Sequence, residues 1–333
     1  MATGILLYWT VSRAVATIAA LMNHPPRSVA YAALVATAAL WGSSAVAARG
    51  LLDALPPATL ATLRWVVVVV CLLPFVWRER AAMAAAVRDD FRTYALLALL
   101  GFGPQTCLVY FGLAGTTATL LGLLNSVIPV LIVAVLALFY GRRPTALETT
   151  GLAVSSLGVA VILARGDPMA LVTLRFSPFD LLLLAGMLVW AFYTVKLVER
   201  PKQVSLPAFV FIGAVLGLLF LAPVATAEIA MKGWPTITSS AALGILYLST
   251  LPTLAASLLF GFGVARVGAV QAGIFTHLVP VFAAVLAAVF IGERLHPFHG
   301  AGFLLVAGGA VVCCLRAAPM LSSRAPSRAP VKL

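Results

Sequence analysis

Charge is scarce in this chain of 333 residues: only 10% are Asp, Glu, Lys or Arg, where soluble domains carry about 25%. So few polar groups cannot coat the surface of water-soluble domains. The 62% hydrophobic content also excludes disorder, which needs low hydrophobicity. Acid is scarcest of all, with ten Asp and Glu against 22 Lys and Arg. The four cysteines, Cys71, Cys107, Cys313 and Cys314, fall inside apolar runs. No spacing among them resembles a zinc or disulfide framework, so they read as small core hydrophobes. There is no Gly-x-x-x-x-Gly-Lys-Ser/Thr loop and no Gly-Lys pair, which argues against ATP drive. His24, His277, His296 and His299 form no His-Glu-x-x-His, and there is no Gly-x-Ser-x-Gly. Metal, cofactor and hydrolytic chemistry therefore have no support, and an enzyme is not expected. Short alternating strands, the mark of a membrane barrel, are absent too.

What the chain does have is long apolar runs, with a mean hydropathy of +1.09. A span takes about 20 apolar residues, and the apolar content suffices for about ten on that scale. The expected class is an all-α polytopic membrane protein. Its ten transmembrane helices are expected at 30–48, 59–77, 94–114, 117–140, 145–163, 179–197, 207–225, 241–265, 269–291 and 297–315. Pro56-Pro57, Gly141 to Pro144, Gly166 to Pro168, Trp234-Pro235 and His296-Pro297 punctuate the runs as turn formers do.

Counted by side, Lys and Arg divide 16 to 5 in favour of the side holding both termini, with Arg64 left inside a span. The positive-inside rule then places both termini in the cytoplasm. The net charge of +12 becomes an orientation signal, and its spread over many loops argues against nucleic acid as a partner. Residues 1–28 form an N-terminal extension whose run 14–22 is too short to span. It reads as a surface helix, a signal peptide or sequence upstream of a true start at Met22. Residues 317–333 read as a disordered cytoplasmic tail drawn to anionic lipid.

The chain repeats itself. With a shift of 151 residues the third to fifth expected helices align on the eighth to tenth without a gap, about a quarter of positions being identical. Phe111-Gly112 meets Phe262-Gly263, Gly122 meets Gly273, Pro129-Val130 meets Pro280-Val281, Gly151 meets Gly302 and Gly158 meets Gly309. Chance likeness between Ala, Val and Leu runs would not set Gly on Gly and Pro on Pro. Earlier helices align more weakly, with Trp41 opposite Trp190. Five helices per repeat, 29–164 and 165–316, is an odd number, so the second half enters the membrane inverted. Inverted repeats are the architecture of alternating-access transporters, with the site near the midplane between the halves.

At these residues the chain resembles a known family. Trp41-Gly42-Ser43-Ser44, Leu63-Arg64-Trp65, Pro129-Val130 followed by Gly141-Arg142-Arg143, and Pro280-Val281 followed by Gly292-Glu293-Arg294-Leu295 are similar to the EamA-type members of the drug/metabolite transporter superfamily. The resemblance covers roughly residues 30–316. The first half departs from it where Arg142 stands in the place of Glu293. The resemblance implies five plus five inverted helices and export of small solutes, with amino acids among those carried by the family. The expected setting is a bacterial inner membrane. The expected partners are a small-molecule substrate and lipid, with the chain as a monomer.

Candidate site residues are the polar and aromatic groups stranded in apolar spans. Asn125-Ser126 and Thr276-His277 are repeat-equivalent, each one turn before a proline, Pro129 or Pro280. Proline removes a backbone donor and kinks a helix, and the carbonyls so freed can face a cavity. Pro104 with Gln105, and Pro252 with Thr253 and Ser257, look alike. Trp41 and Trp190 sit mid-span, although membrane Trp favours the interfaces. They read either as core filling or as an aromatic pocket with Ser43, Tyr110, Tyr193 and Tyr247. Arg64, at about 2.5–3.5 kcal/mol if central, is either an interface anchor or a cation that meets a substrate carboxylate. His277 is either a satisfied core group or part of the site. All ten acids fall in loops or at helix ends, so a proton relay through a central carboxylate is not expected. Facilitated export is the primary expectation, with His277-linked proton coupling as the alternative. A drug or cation exporter would want a buried acid, and the sequence offers none. A membrane-embedded enzyme and a non-transporting subunit are the readings from other classes.

Overall fold

The computed structural model describes residues 26–116, 124–164, 167, 169, 177–291 and 296–315. Every regular element among them is helical. In chain order they are α1 (Arg27–Leu52), α2 (Pro57–Val76), α3 (Arg80–Asp89), α4 (Phe91–Gly101), α5 (Pro104–Ala114), α6 (Ile128–Tyr140), α7 (Ala146–Leu163), α8 (Pro178–Leu197), α9 (Leu206–Lys232), α10 (Ser239–Leu248), α11 (Ala256–Val267), α12 (Ala269–Ile274), α13 (Leu278–Ile291) and α14 (Pro297–Cys314). A π-helical stretch, Ser249–Ala255, joins α10 to α11, and a 3-10 turn, Phe275–His277, joins α12 to α13. Nine of the described helical stretches are long and apolar enough to cross a membrane. The shorter apolar helix α6 falls in the expected span 117–140, whose first residues lie outside the described set. So do residues 1–25, the tail and the Gly292-Glu293-Arg294-Leu295 segment.

Local chemistry sets the helix ends. Proline opens α2, α5, α6, α8, α9 and α14 in the first turn, where its missing N–H costs nothing. A capping box of Thr145 and Glu148 starts α7, closing two orphan donors at once. Gly141, at φ 63°, ends α6 in the left-handed conformation that glycine tolerates best. Two expectations are corrected. The expected end of the seventh span at 225 is too early: no Gly or Pro interrupts the chain until Gly233, and α9 runs on to Lys232. The expected single helix 94–114 is two helices, broken at Phe102 and Gly103. Outward-facing side chains are apolar, with Leu138, Leu219 and Leu304 left 79%, 69% and 77% exposed. That suits a lipid solvent, where every backbone group is bonded within its own helix.

The packing repeats as the sequence does. α1 lies against α11 and α13, and α8 lies against α5 and α6. Those two sets exchange when each helix is swapped for its repeat counterpart. The pairs α2 with α9 and α7 with α14 map onto themselves, so a pseudo-two-fold axis passes between the members of each pair.

Both self-paired contacts run antiparallel. In the seam of α7 and α14 a Cβ added to Gly151 would lie 2.6 Å from the Gly309 carbonyl, and one on Gly158 would lie 2.7 Å from the Gly302 carbonyl. Gly151 is the counterpart of Gly302, and Gly158 that of Gly309, yet each meets the other's partner. The repeats are therefore inverted relative to each other. Small residues let these backbones touch, which is how helices associate where lipid removes the hydrophobic drive.

Between α2 and α9 the same inversion is marked by two glutamates 149 positions apart. Glu79 Oε2 accepts from the Ser205 N–H at 3.0 Å, at the start of α9. Glu228 Oε2 accepts from the N–H and hydroxyl of Thr59, at 2.9 and 3.1 Å, at the start of α2. Each carboxylate sits at a positive helix N-terminus of the opposite repeat. Glu228 is 3% exposed, with Lys232 at 3.6 Å from its other oxygen.

Candidate functional site

The helix breaks converge on one cavity of about 210 Å³. Six pairs of its lining residues are separated by 151 positions: Gly101 and Pro252, Phe102 and Thr253, Thr106 and Ser257, Val109 and Phe260, Asn125 and Thr276, Ile128 and Val279. Trp41 pairs with Trp190, and Ser44 with Tyr193, at 149. The cavity therefore straddles the pseudo-two-fold axis, and it lies at mid-span positions of the helices that form it.

Each proline named from the sequence stands at an irregularity. Pro104 opens α5 after the break at Phe102 and Gly103. Pro129 and Pro280 occupy the first turns of α6 and α13, behind interruptions at Ser126–Val127 and Phe275–His277. Pro252 lies inside the π-helical stretch. There its ring supplies no donor, and the Thr253 hydroxyl bonds the Leu248 carbonyl at 2.6 Å. The Pro252 carbonyl in turn accepts from Trp41 Nε1 at 3.1 Å.

That arrangement prepares a seat for Arg64. Its Nε and Nη2 donate to Thr253 Oγ1 at 3.0 and 2.6 Å, so the threonine passes the interaction on to the Leu248 carbonyl. Nη1 donates to the Tyr110 hydroxyl, and the guanidinium carbon lies 4.9 Å from the Tyr110 ring centroid. Three of the five N–H donors of a guanidinium are so engaged, all by neutral groups. Among the described residues no carboxylate lies within ion-pair distance of Arg64, and none lines the cavity. The described acids lie in loops or near helix ends.

The same cavity is lined by an aromatic cluster. Trp41 meets Trp190 edge-on at 5.6 Å and Phe260 at 5.1 Å. Trp190 also packs on Tyr193 at 4.9 Å and Phe260 at 5.5 Å. Such a site, largely apolar with a few convergent polar groups, is the usual form of a small-molecule pocket.

The model of the EamA-like transporter family matches residues 28–164 and again 177–315. The chain belongs to this family. Its relatives include the uncharacterized transporter YetK of Bacillus subtilis (strain 168), 28% identical over 86% of this chain and 87% of that one. A "probable terminal-alkyne amino-acid exporter" of Streptantibioticus cattleyicolor is 29% identical over 84% of this chain and 89% of its own length. A "probable amino-acid metabolite efflux pump" of Salmonella typhimurium is 25% identical over 81% and 89%. A solved protein structure superposes with a TM-score of 0.68 at 20% identity, covering 88% of this chain and 98% of that one; it shares the fold. EamA membership makes this chain a multi-pass membrane transporter and not an enzyme.

Against that identity the expected site residues sort themselves. Trp41, Arg64, Gln105, Tyr110, Asn125, Trp190, Tyr193 and Ser257 line the EamA cavity. Ser43, Tyr247 and His277 do not. Ser43 is one residue, and so a large rotation about α1, from the lining Ser44; it accepts from the Tyr247 hydroxyl at 2.6 Å and donates to the Leu40 carbonyl at 2.7 Å. His277 is 0% exposed. Its Nε2 donates to the Ser126 carbonyl at 2.8 Å, and its Nδ1 lies 2.7 Å from the Ser155 hydroxyl. Ser126 is the repeat counterpart of His277, so the imidazole ties one helix break to the other across the axis.

Sequence reasoning missed Trp65, Phe102, Met187 and Phe260, which also line the cavity. They look like ordinary core residues in apolar runs. Only Phe260 and Phe102 carried a signal, since each stands 151 positions from another lining residue.

Proposed function

We propose that this EamA protein exports small carboxylate-bearing metabolites, amino acids and their derivatives among them, by alternating access of the central cavity. Ten spans cross a bacterial inner membrane with both termini in the cytoplasm. They form repeats 29–164 and 165–316, flanked by the extension 1–28 and the tail 317–333, and the chain acts as a monomer surrounded by lipid. The observation that carries this reading is Arg64, a cation without a carboxylate partner among the described residues, in a cavity shared by inverted repeats. Such a cation invites an anionic group from the solute through charge-assisted, two-pronged hydrogen bonds. The amino-acid exporters among the relatives support the same class.

Transport is facilitated and runs down the solute's electrochemical gradient. The absence of a mid-span carboxylate among the described residues supports this, as does the engagement of both His277 nitrogens. The test is efflux from liposomes holding purified protein, over a panel of amino acids and organic cations, with and without a pH gradient. Carboxylate solutes should leave without a pH gradient. Strict dependence on a proton gradient would sink the facilitator, and export of organic cations alone would replace the solute class.

A further inference from the structure

We propose, resting on that reading, that the preferred solutes are net anions whose nitrogen is neutral or absent, and that the membrane potential drives their export. The solute class is carboxylates with an aromatic or branched apolar body, such as N-acyl amino acids and 2-oxo acids. Their carboxylate is received by Arg64 and their body by Trp41, Trp190 and Phe260.

In a site walled by low dielectric, charge has to balance. Arg64 brings one positive charge, held by the hydroxyls of Thr253 and Tyr110. Among the described residues no acid lines the cavity. A bound anion makes the site neutral. A zwitterion leaves it with one net charge and an ammonium that no carboxylate meets, and an organic cation leaves two positive charges together. An uncompensated charge away from water is costly, so the anion fits best.

The same balance supplies the drive. Whichever half of the cycle moves Arg64, one turnover carries one negative charge outward when the solute is an anion. With the cell interior negative by about 100 mV, that charge alone sustains a gradient of roughly 50-fold toward the outside. Export then needs no coupling ion. This suits a molecule whose described acids all lie away from mid-span and whose buried histidine stands outside the cavity.

The experiment uses the purified full chain in liposomes loaded with phenylalanine, N-acetylphenylalanine, phenylpyruvate or phenethylamine. Potassium gradients with valinomycin set the lumen negative or positive, and protein-free vesicles provide the background. N-acetylphenylalanine and phenylpyruvate should leave roughly tenfold faster than phenylalanine. Their efflux should quicken with a negative lumen and slow with a positive one, and phenethylamine should not move. Phenylalanine efflux equal to or above that of the anions, or anion efflux indifferent to potential, would overturn this inference while leaving the transport reading intact. Efflux of none of the four would overturn both. The wild-type result alone decides these outcomes. Arg64→Gln adds a check on the residue: anion efflux unchanged in that variant would also overturn the assignment.

Discussion

The α7–α14 seam and the central cavity both lie on the pseudo-two-fold axis, but they use it differently. In the seam the symmetry is chemical as well as positional: Gly151 meets Gly309 and Gly158 meets Gly302, glycine against glycine on both sides. In the cavity the positions match and Trp41 mirrors Trp190, but the other paired side chains differ. The residue 149 positions after Arg64 is Gly213, whose lack of a Cβ admits the Phe102 ring, 2.6 Å from where that carbon would sit. Val109 is the counterpart of Phe260, and Asn125 that of Thr276. The seam keeps glycine on both sides because close backbone contact demands it, while the cavity keeps an aromatic pair, Trp41 and Trp190, and sets a charge on one side only. Arg64 is the largest of these departures.

Four substitutions would break or sharpen that contrast. The largest effect is expected at the asymmetric residue: Arg64→Gln should lower carboxylate efflux about 100-fold, equivalent to about 3 kcal/mol, since removing one partner of a buried charge pair costs 2–5 kcal/mol. Thermal unfolding in detergent should change little, and near-wild-type efflux would move recognition elsewhere. Next comes the symmetric seam. Gly158→Val forces a side chain against the Gly302 carbonyl and should cost about 2–3 kcal/mol, as overpacking does. Unfolding midpoints of the solubilised variant would measure it, and an unaltered midpoint would deny the seam its structural role.

A smaller effect is expected at the axial tie. His277→Ala removes the imidazole hydrogen bonds to the Ser126 carbonyl and the Ser155 hydroxyl and should cost about 1–2 kcal/mol. Efflux per folded molecule, and its indifference to pH, should persist. Abolished efflux at normal stability would return His277 to the mechanism. The smallest belongs to Tyr247→Phe, which removes the hydroxyl that meets Ser43. It should cost about 1 kcal/mol and leave efflux as it was.

Much of this was legible in the sequence, for physical reasons. Lipid demands long apolar helices, so composition locates the spans, and Pro104, Pro129, Pro252 and Pro280 mark their breaks because proline lacks a donor. Arg64, Trp41 and Trp190 stood out since each is misplaced in an apolar run unless it has a use. His277 stayed open between core and site for the same reason. One of its partners is a backbone carbonyl at a break 151 residues away, and no side-chain pattern reports a carbonyl. Phe102 and Phe260 stayed hidden because a phenylalanine at a cavity wall and one in a core have the same sequence signature. Glu79 and Glu228 read only as acids in loops or at helix ends, and only the antiparallel pairing of α2 with α9 shows each capping a helix of the opposite repeat.

The most direct test of the account is an equilibrium titration of a transported carboxylate into the solubilised protein, with Arg64→Gln titrated in parallel. Saturable binding to the wild type is expected, weakened roughly 30-fold or more by the substitution. Equal affinity in the two proteins, both folded by their unfolding midpoints, would contradict the assignment of the cavity cation as the seat of recognition.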